Sequence, residues 1–554
     1  MKRLRNELLD EYHALLAEIL DASDKSIAWL VNATGSRDPY INDLFRHCCY
    51  LDLIKSVTST SKTVQRVIVP TRSLGRVLEA YFAQTGDHIE VVVRQSFRSR
   101  FIEGCRAVLN FCFLLRNLGR MVLSRSAQRR ARLDASQEIT LVDTFILPDS
   151  VRAGRYLDRY YPGMLEHLSE AERARVYFAP TVLDKYDKET FASLASRSPV
   201  NLLFKHDYLK VYDYLYALFC CARIRKIDFS RFRFREFGIA PLLRETFRRN
   251  RFHHSSILAI LDYCFFKRLR KSGVRLRLVV DWFENQVIDH GFNKGLRAYY
   301  PKTPSVGYLG FTLSTDVIHY IMPAPYESAL GVVPDEMAVT GTGLVNQPRL
   351  FDKELKVTVA PAFRARDVWQ PFERASDGEP DVVLVALPIT VQESTEIIRM
   401  VAEAVQLGQT EGVGFHIKPH PSLDMILVKG QLACLWPKEF EIVGGDFKSC
   451  LEKAGLLISS SSGTCLETLT RGIPVIVVGT QCNLARNPIP ESVPGELWQV
   501  CCSAAELRLA IQRFLALPAE RKRRFEEVGA RIREEYFEPV TRARVREFLK
   551  LEGD

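Results

Sequence analysis

A run of four serines near residue 460 separates an apolar segment from a helical one. Backbone N–H groups at the start of a helix favour anions, so this loop is a candidate phosphate site. Glu467, in the first predicted turn, could accept hydrogen bonds from a ribose diol. The alternative is a plain serine-rich loop in which Thr464 caps the helix. The candidate phosphate-binding residues are Ser460, Ser461, Ser462, Gly463 and Thr464.

A second polar element, Lys-Pro-His-Pro at residues 418–421, ends another predicted strand. Its two prolines stop the strand and stiffen the turn, so Lys418 and His420 are predicted to be presented at the strand end. Both side chains could donate hydrogen bonds to a phosphate, and His420 could assist the departure of a phosphate leaving group. The alternative is a structural histidine.

These two elements resemble the nucleotide-binding half of GT-B glycosyltransferases over residues 380–480. The spacing of Glu467, Gly472 and Pro474 is similar to that family's Glu-then-Gly-x-Pro signature. The pairing of Lys-Pro-His-Pro with a downstream Ser-Ser resembles motifs of bacterial sialyltransferases, polysialyltransferases and Kdo transferases, which use CMP-activated ulosonic acids. The resemblance implies that His420 and the serines at 460–462 bind the CMP phosphate. A similar His-Pro element occurs in teichoic-acid glycerophosphotransferases.

The same resemblance implies a catalytic group at a strand end in the front half, facing a cleft. Asp281 and Glu284 follow the predicted strand 275–280 and are the candidate general base or nucleophile, with Glu284 preferred. Asn285 and Gln286 could hold sugar hydroxyls. The segment departs from the Asp-Asp-Gly or Glu-Asp-Gly pattern of sialyltransferases, which favours a Kdo-transferase-like or separate surface-carbohydrate family. The alternative is a helix start with acids placed for its dipole.

Two further groups in the front half are weaker candidates. Arg37, in the turn after the first predicted strand, could contact a carboxylate of the donor or acceptor. Residues 319–327 could line the cleft, although structural roles fit their spacing equally well. No Asp-x-Asp motif stands at a predicted strand end, and no histidine or cysteine group has metal-ligand spacing. We therefore expect no metal and no cofactor besides a nucleotide-sugar co-substrate.

Two α/β blocks must position these residues, because predicted strands alternate with helices in both halves. We expect an α/β protein of the GT-B class, in which ligands bind at the carboxyl ends of the strands. The predicted strands are 26–32, 64–70, 88–93, 139–145, 175–179, 275–280, 305–310, 381–387, 413–418, 440–443, 455–459 and 474–479. The predicted divisions are an acceptor-side Rossmann-like domain with a basic helical insertion (1–350), a linker (351–380), a nucleotide-sugar-binding Rossmann-like domain (381–515) and C-terminal helices (516–554).

The composition is that of a globular protein, with 47% hydrophobic and 26% charged residues among 554. It excludes disordered, collagen-like and coiled-coil classes. The net charge of +10 divides into +14 for residues 1–350 and −4 for the rest. Residues 94–132 contain ten arginines and one acid around an apolar helical stretch. This segment could pack in the core or meet an anionic membrane, whereas nucleic acid is disfavoured because no recognised binding motif is present.

Thirteen cysteines without a Cys-x-x-Cys pair predict a reducing compartment. No apolar run reaches membrane-spanning length, and the acids near the N-terminus are unlike a signal peptide. We expect a cytoplasmic protein that could sit at the inner face of the cytoplasmic membrane.

The resulting hypothesis is a metal-independent glycosyltransferase of bacterial surface polysaccharide biosynthesis. It would move a Kdo-like or sialic-acid-like sugar from a CMP donor to a glycan or lipid-linked glycan acceptor. The alternatives are a UDP- or GDP-sugar or glycerophosphate transferase of the same fold, a sugar-nucleotide epimerase, and a non-catalytic scaffold of polysaccharide assembly.

Overall fold

Runs of valine, isoleucine and leucine form the strands, because residues buried on both faces of a parallel sheet are apolar throughout. The computed structural model describes residues 2–38, 41–61, 63–94, 97–127, 137–147, 150–152, 155–183, 194, 200–222, 224, 227–250, 253–312, 318–373, 382–408, 412–432, 436–479 and 487–551. The strands described there are β1 Arg66–Val69, β2 Glu90–Val93, β3 Glu138–Ile146, β4 Val151–Arg152, β5 Arg155–Tyr156, β6 Val176–Val182, β7 Asn201–Leu202, β8 Arg233–Phe234, β9 Phe237–Gly238, β10 Arg275–Trp282, β11 Ser305–Leu309, β12 Glu336–Val339, β13 Lys356–Val359, β14 Val382–Ala386, β15 Gly414–Lys418, β16 Phe440–Ile442, β17 Leu456–Ser459, β18 Val475–Val478 and β19 Trp498–Cys501.

Helices cover both faces of the large sheets. The α-helices of the described residues are α1 Lys2–Asp21, α2 Ile27–Leu30, α3 Leu44–Thr60, α4 Arg72–Thr85, α5 Phe97–Ala127, α6 Glu170–Arg173, α7 Lys205–Tyr208, α8 Val211–Ala222, α9 Ala240–Asn250, α10 His254–Lys271, α11 Val287–Tyr299, α12 Ile318–Ile321, α13 Pro325–Leu330, α14 Val391–Gln406, α15 Met425–Leu432, α16 Phe447–Glu452, α17 Thr464–Leu469, α18 Ala504–Leu515, α19 Ala519–Tyr536 and α20 Arg542–Phe548. None of the described helices combines the length and apolarity that crossing a bilayer requires.

The first large sheet has seven parallel strands in the order β13-β12-β11-β10-β3-β6-β7. Successive strands extend outward on either side of the neighbours β3 and β10, which is the strand order of a Rossmann sheet. The sheet contains all four strands predicted between residues 139 and 310 and adds β7, β12 and β13. The reversal between β3 and β10 opens a crevice at their carboxyl ends.

The second large sheet has six parallel strands in the order β16-β15-β14-β17-β18-β19, again the Rossmann order. Ala386 pairs with Lys418 and Val385 pairs with Ile458, so the carboxyl ends of β15, β14 and β17 meet at one edge. All five strands predicted after residue 380 are present, and β19 is an unpredicted sixth. The two sheets confirm the predicted α/β class with two Rossmann-like domains and C-terminal helices.

The predicted first strand, residues 26–32, is wrong, because these residues contain the one-turn helix α2. Ala28, Trp29 and Leu30 are buried in that turn, which packs against α11. A short apolar run is compatible with a buried strand and with a buried helical turn, since periodicity does not separate them. The next two predicted strands, β1 and β2, pair only with each other in a separate two-stranded sheet.

The segment 351–380, expected to be a linker, contributes a strand to the first large sheet. β13 pairs with β12 in parallel, and a 3-10 helix follows at Phe363–Trp369. The backbone N–H of Phe363 donates to the Tyr308 hydroxyl (3.3 Å), so the beginning of this 3-10 helix is attached to the end of β11. The part of the segment that leaves the seven-stranded sheet is therefore anchored to it.

The C-terminal helices return from the second sheet to the first. The backbone N–H of Glu538 donates to the Thr340 carbonyl (2.6 Å), and the N–H of Ala362 donates to the Glu538 carbonyl (2.8 Å). Gly341 permits this close approach, because a Cβ atom there would lie 2.4 Å from the carbonyl oxygen of Glu535. The chain thus passes between the two sheets at two neighbouring places.

Candidate active site

The ends of three strands of the second sheet are tied together by hydrogen bonds. Ser459, at the end of β17, donates from Oγ to the Ala386 carbonyl at the end of β14 (2.8 Å). The N–H of Leu387 donates to the Lys418 carbonyl at the end of β15 (2.9 Å). The structure therefore brings Lys418, His420 and the serine loop 460–463 to one edge of the sheet, where a Rossmann sheet binds its ligand.

The serine loop is held by a carboxylate that the sequence analysis missed. The hydroxyls of Ser460 and Ser461 both donate to Oε1 of Glu393, at 2.7 and 2.9 Å. Each hydroxyl has a single proton, so neither can donate to another acceptor while bonded to Glu393. Glu393 lies in the first turn of α14, where sequence pattern alone attributes an acid to the helix dipole.

The start of α17 is formed by Ser462 and Thr464. The N–H and the hydroxyl of Thr464 both approach Ser462 Oγ, at 3.3 and 2.8 Å. Ser462 is therefore the acceptor, and Thr464 does not cap the helix as the alternative interpretation required. Among the described residues, the backbone N–H groups of Ser461, Ser462 and Gly463 have no acceptor. These N–H groups, rather than the hydroxyls of Ser460 and Ser461, are available to an anion.

Lys418 and His420 are both half-buried at the end of β15. Nζ of Lys418 donates to the Gly445 carbonyl (2.6 Å). Nδ1 of His420 accepts from the N–H of Ser422 (3.1 Å), which leaves Nε2 to carry the proton of the neutral ring. The turn therefore fixes the ring orientation and the tautomer of His420.

Glu467 is half-buried in α17 and faces the 3-10 helix Phe363–Trp369. Burial raises the pKa of Glu467 to about 7, while the positive charge of Arg364 lowers it and the negative charge of Asp367 raises it. Glu467 therefore changes its charge near neutral pH. It lies at the junction of the two domains, because the 3-10 helix directly follows the first large sheet.

Glu284 lies half-buried just beyond the end of β10, and both of its carboxylate oxygens accept hydrogen bonds. Trp282 donates from Nε1 to Oε1 (2.9 Å), and Gln286 donates from Nε2 to Oε2 (2.7 Å). The backbone N–H groups of Glu284 and Gln286 both donate to Oδ2 of Asp289, at 3.0 and 2.9 Å. The carboxylate is therefore fixed in orientation, and Gln286, predicted to hold a sugar hydroxyl, positions Glu284 instead.

Asp281, the other predicted carboxylate, is in the interior and does not face a cleft. It is 1% exposed, and its Oδ2 accepts from Nδ2 of Asn293 (2.6 Å). Burial raises the pKa of Asp281 well above its ordinary value, and the neighbouring charge of Asp143 raises it further. Of the two carboxylates predicted from the sequence, only Glu284 is placed to meet a substrate.

Arg37 and Asn285, predicted to contact substrate, are instead buried in one network around Glu327. Arg37 is 2% exposed and donates to both Glu327 oxygens, at 3.1 Å from Nε and 2.5 Å from the NH2 nitrogen. Asn285 is 1% exposed and donates from Nδ2 to Glu327 (3.2 Å), while its Oδ1 lies 3.0 Å from Nε2 of His290. Asn285 has a positive φ of 53°, so this network holds the loop of Glu284 in a left-handed turn.

Two further side chains lie beside Glu284 without having been predicted. The guanidinium carbon of Arg364 lies 5.6 Å from the centroid of the Trp282 ring. The Tyr160 ring contacts the same tryptophan edge-on, with centroids 4.6 Å apart. Arg364 lies in the expected linker and Tyr160 in an irregular segment, so no motif marked either residue. Within the described residues, no group of three or more His, Cys, Asp or Glu side chains has a metal-binding arrangement.

No family model and no curated protein matches this sequence. Several solved structures are similar to it at low identity. An α,α-trehalose 6-phosphate synthase from Burkholderia multivorans is 11% identical, with 75% of this chain and 97% of that chain covered and a TM-score of 0.42. MnaA of S. aureus with UDP is 12% identical, with 76% and 98% covered and a TM-score of 0.43. A putative UDP-N-acetylglucosamine 2-epimerase from Listeria monocytogenes is 12% identical, with 75% and 98% covered and a TM-score of 0.44. These likenesses carry no argument about activity.

Replacing Glu393 by Gln should increase the affinity of the serine loop for anions. The amide oxygen of Gln can still accept from Ser460 and Ser461, but the negative charge beside the loop is removed. A unit charge about 4 Å away contributes about 1 kcal/mol even in water, so inorganic phosphate should bind at least about fivefold more tightly. Titration calorimetry measures this, with Glu396→Gln in the next turn of α14 as the control. Unchanged or weaker phosphate binding by Glu393→Gln would contradict the assignment of the loop.

Proposed function

We propose that this protein transfers a sugar from a nucleotide-sugar donor to an acceptor. The donor would lie in the crevice of the six-stranded sheet and the acceptor at the seven-stranded sheet. The observation that supports this best is the approach of the two domains near Arg364, which lies beside Trp282 and Glu284 on one side and influences Glu467 on the other. A carboxylate of one domain next to the anion loop of the other is the arrangement that displacement at a sugar carbon needs.

On the donor side, the backbone N–H groups of the serine loop, Lys418 and His420 would hold the phosphate. Glu467 would accept from the ribose hydroxyls. The finer proposal is a CMP-linked ulosonic acid donor, supported by the resemblance of the Lys-Pro-His-Pro and Ser-Ser pairing to transferases that use such donors. A surface glycan or lipid-linked glycan would be the acceptor.

In the proposed reaction Glu284 is the general base. It accepts the proton of an acceptor hydroxyl while that oxygen forms a bond to the anomeric carbon. The bond from this carbon to the donor phosphate breaks, and the phosphate leaves with the electron pair. His420 donates from Nε2 to the departing phosphate. Closure of the domains would exclude water, which otherwise competes with the acceptor for the donor.

Replacing Glu284 by Gln should lower turnover about 10²- to 10⁴-fold, the usual contribution of a general base. Binding of the nucleotide should remain unchanged, because Glu284 lies on the other domain. Nucleotide release is measured with CMP-, UDP- and GDP-sugars, with and without a glycan acceptor, and Glu138→Gln at the exposed amino end of β3 is the control.

The alternative functions give different results in the same measurement. Stabilisation by UDP but not by CMP would contradict the ulosonic-acid donor, and transfer of glycerophosphate would replace it. Conversion of a donor sugar without an acceptor would indicate an epimerase. No turnover with any donor, together with an inert Glu284→Gln variant, would favour a scaffold.

Nucleotide affinity should increase as pH rises through about 7. The ribose hydroxyls donate to the ionised form of Glu467, and burial keeps this group protonated below its raised pKa of about 7. Fluorescence titration of CMP between pH 5.5 and 8.5 measures the effect. The Glu467→Gln variant shares the titration of the nucleotide phosphate but lacks that of residue 467, so its profile should be flatter. Identical profiles for both proteins would remove Glu467 from the binding site.

We also propose that the acceptor side docks on an anionic membrane surface. The neighbouring helices α5 and α8 expose apolar side chains that are between 42% and 64% accessible, and α5 contains six arginines and one acid. Exposed apolar groups combined with positive charge are typical of interfacial membrane binding. The exposed apolar residues of this α5–α8 surface are Val108, Leu109, Phe111, Leu115, Val122, Val211, Tyr212, Leu215, Tyr216 and Phe219.

Co-sedimentation with vesicles tests the α5–α8 surface. Wild-type protein should bind phosphatidylglycerol vesicles more tightly than phosphatidylcholine vesicles, and Leu115→Glu and Phe219→Glu should each weaken binding about tenfold or more. Leu509→Glu is the matched control, because Leu509 is 57% exposed on α18 of the other domain. Equal binding by all variants would show that the surface does not meet lipid. Dimers that the two α5–α8 variants abolish would show instead that a second copy covers the surface.

A further inference from the structure

The main chain that carries Arg364 is anchored to both domains. Ala362, two residues before it, donates to the Glu538 carbonyl (2.8 Å), and Phe363 donates to the Tyr308 hydroxyl. Further along the same 3-10 helix, the guanidinium of Arg471 from the second domain donates to the Asp367 carbonyl. The position of Arg364 is therefore fixed although its side chain is exposed.

The guanidinium of Arg364 has no ionic partner. Within the described residues no carboxylate oxygen lies within 4.0 Å of it, and no hydrogen bond from it is present. Its contact is the face of the Trp282 ring, at 5.6 Å, which supports a cation while leaving N–H groups at its edge. An arginine at a domain junction whose charge is not neutralised is suited to an anionic ligand.

The nearest acid on the same side does not neutralise Arg364 because other donors hold it. Both oxygens of Glu284 accept from Trp282 and Gln286, as described above. The Tyr160 hydroxyl, beside the same tryptophan, makes no hydrogen bond within the described residues. Aromatic rings, an unpaired guanidinium and an unpaired hydroxyl donor therefore line the space next to Glu284.

We propose that Arg364, assisted by the Tyr160 hydroxyl, binds an oxyanion of the ligand in this cleft. The oxyanion is either the carboxylate of an acidic sugar or the phosphate of the donor, since a guanidinium recognises both in the same bidentate manner. This inference rests on the proposed function for the identity of the ligand, but the anion site itself does not require transfer activity.

Arg364→Gln and Arg364→Lys test the site, with Arg366→Gln as the control. Arg366 lies in the same 3-10 helix but pairs with Glu166 (3.4 Å), away from Trp282. Tryptophan fluorescence is titrated with N-acetylneuraminic acid, inorganic phosphate, CMP, CMP-N-acetylneuraminic acid and neutral N-acetylmannosamine. Arg364→Gln should weaken binding of the recognised anion about tenfold or more, Arg364→Lys should weaken it less, and Arg366→Gln should leave it unchanged.

The pattern of losses identifies the anion. A loss for the two sialic acid ligands, with CMP and phosphate unchanged, assigns Arg364 to the sugar carboxylate. A loss for CMP, its sugar conjugate and phosphate assigns it to the donor phosphate. Equal affinities of Arg364→Gln and wild type for every anion, or no anion binding by wild type, would overturn the inference. Anion binding that depends on Arg364 without any sugar transfer would contradict the proposed function and leave the anion site in place.

Discussion

The buried ion pair of Arg37 and Glu327 fixes the geometry on which the candidate active site depends. It joins the N-terminal segment, the start of α13 and, through Asn285, the loop that carries Glu284. Burial raises the pKa of Glu327, but the adjacent guanidinium lowers it by more, so the carboxyl stays ionised. Removing either partner would leave an uncompensated buried charge, at a cost of about 3–5 kcal/mol. The orientation of Glu284 is thus maintained by residues that never touch a ligand.

Most of the fold could be predicted from the sequence, because apolar strands, intervening helices and turn residues repeat regularly in both halves. The exceptions have physical causes. The run around Trp29 is short and apolar throughout, so helix and strand were indistinguishable. β13 lies in a segment whose polar continuation suggested a linker, and its place in the sheet depends on pairing with β12, which is a long-range contact.

The candidate site was only partly predictable. Lys418, His420 and the serine loop follow apolar strands directly, and strand order alone brings them together. Arg37 and Asn285 had the right chemistry for a ligand, but burial beside Glu327 could not be inferred from local sequence. Glu393 and Arg364 were missed for the opposite reason, since each acquires its importance from a neighbour far away in the chain.

The two passages of the chain between the sheets have a mechanical consequence. Residues 360–362 and 537–540 run side by side and are hydrogen-bonded through Ala362 and Glu538, while Glu538 is also bonded to Thr340. Two adjacent covalent connections act as a hinge with a short pin, which allows the domains to swing about the line of the pin but resists sliding and twisting. Opening of the cleft is therefore confined to one direction of rotation, and Glu284 and the serine loop return to the same register on every closure.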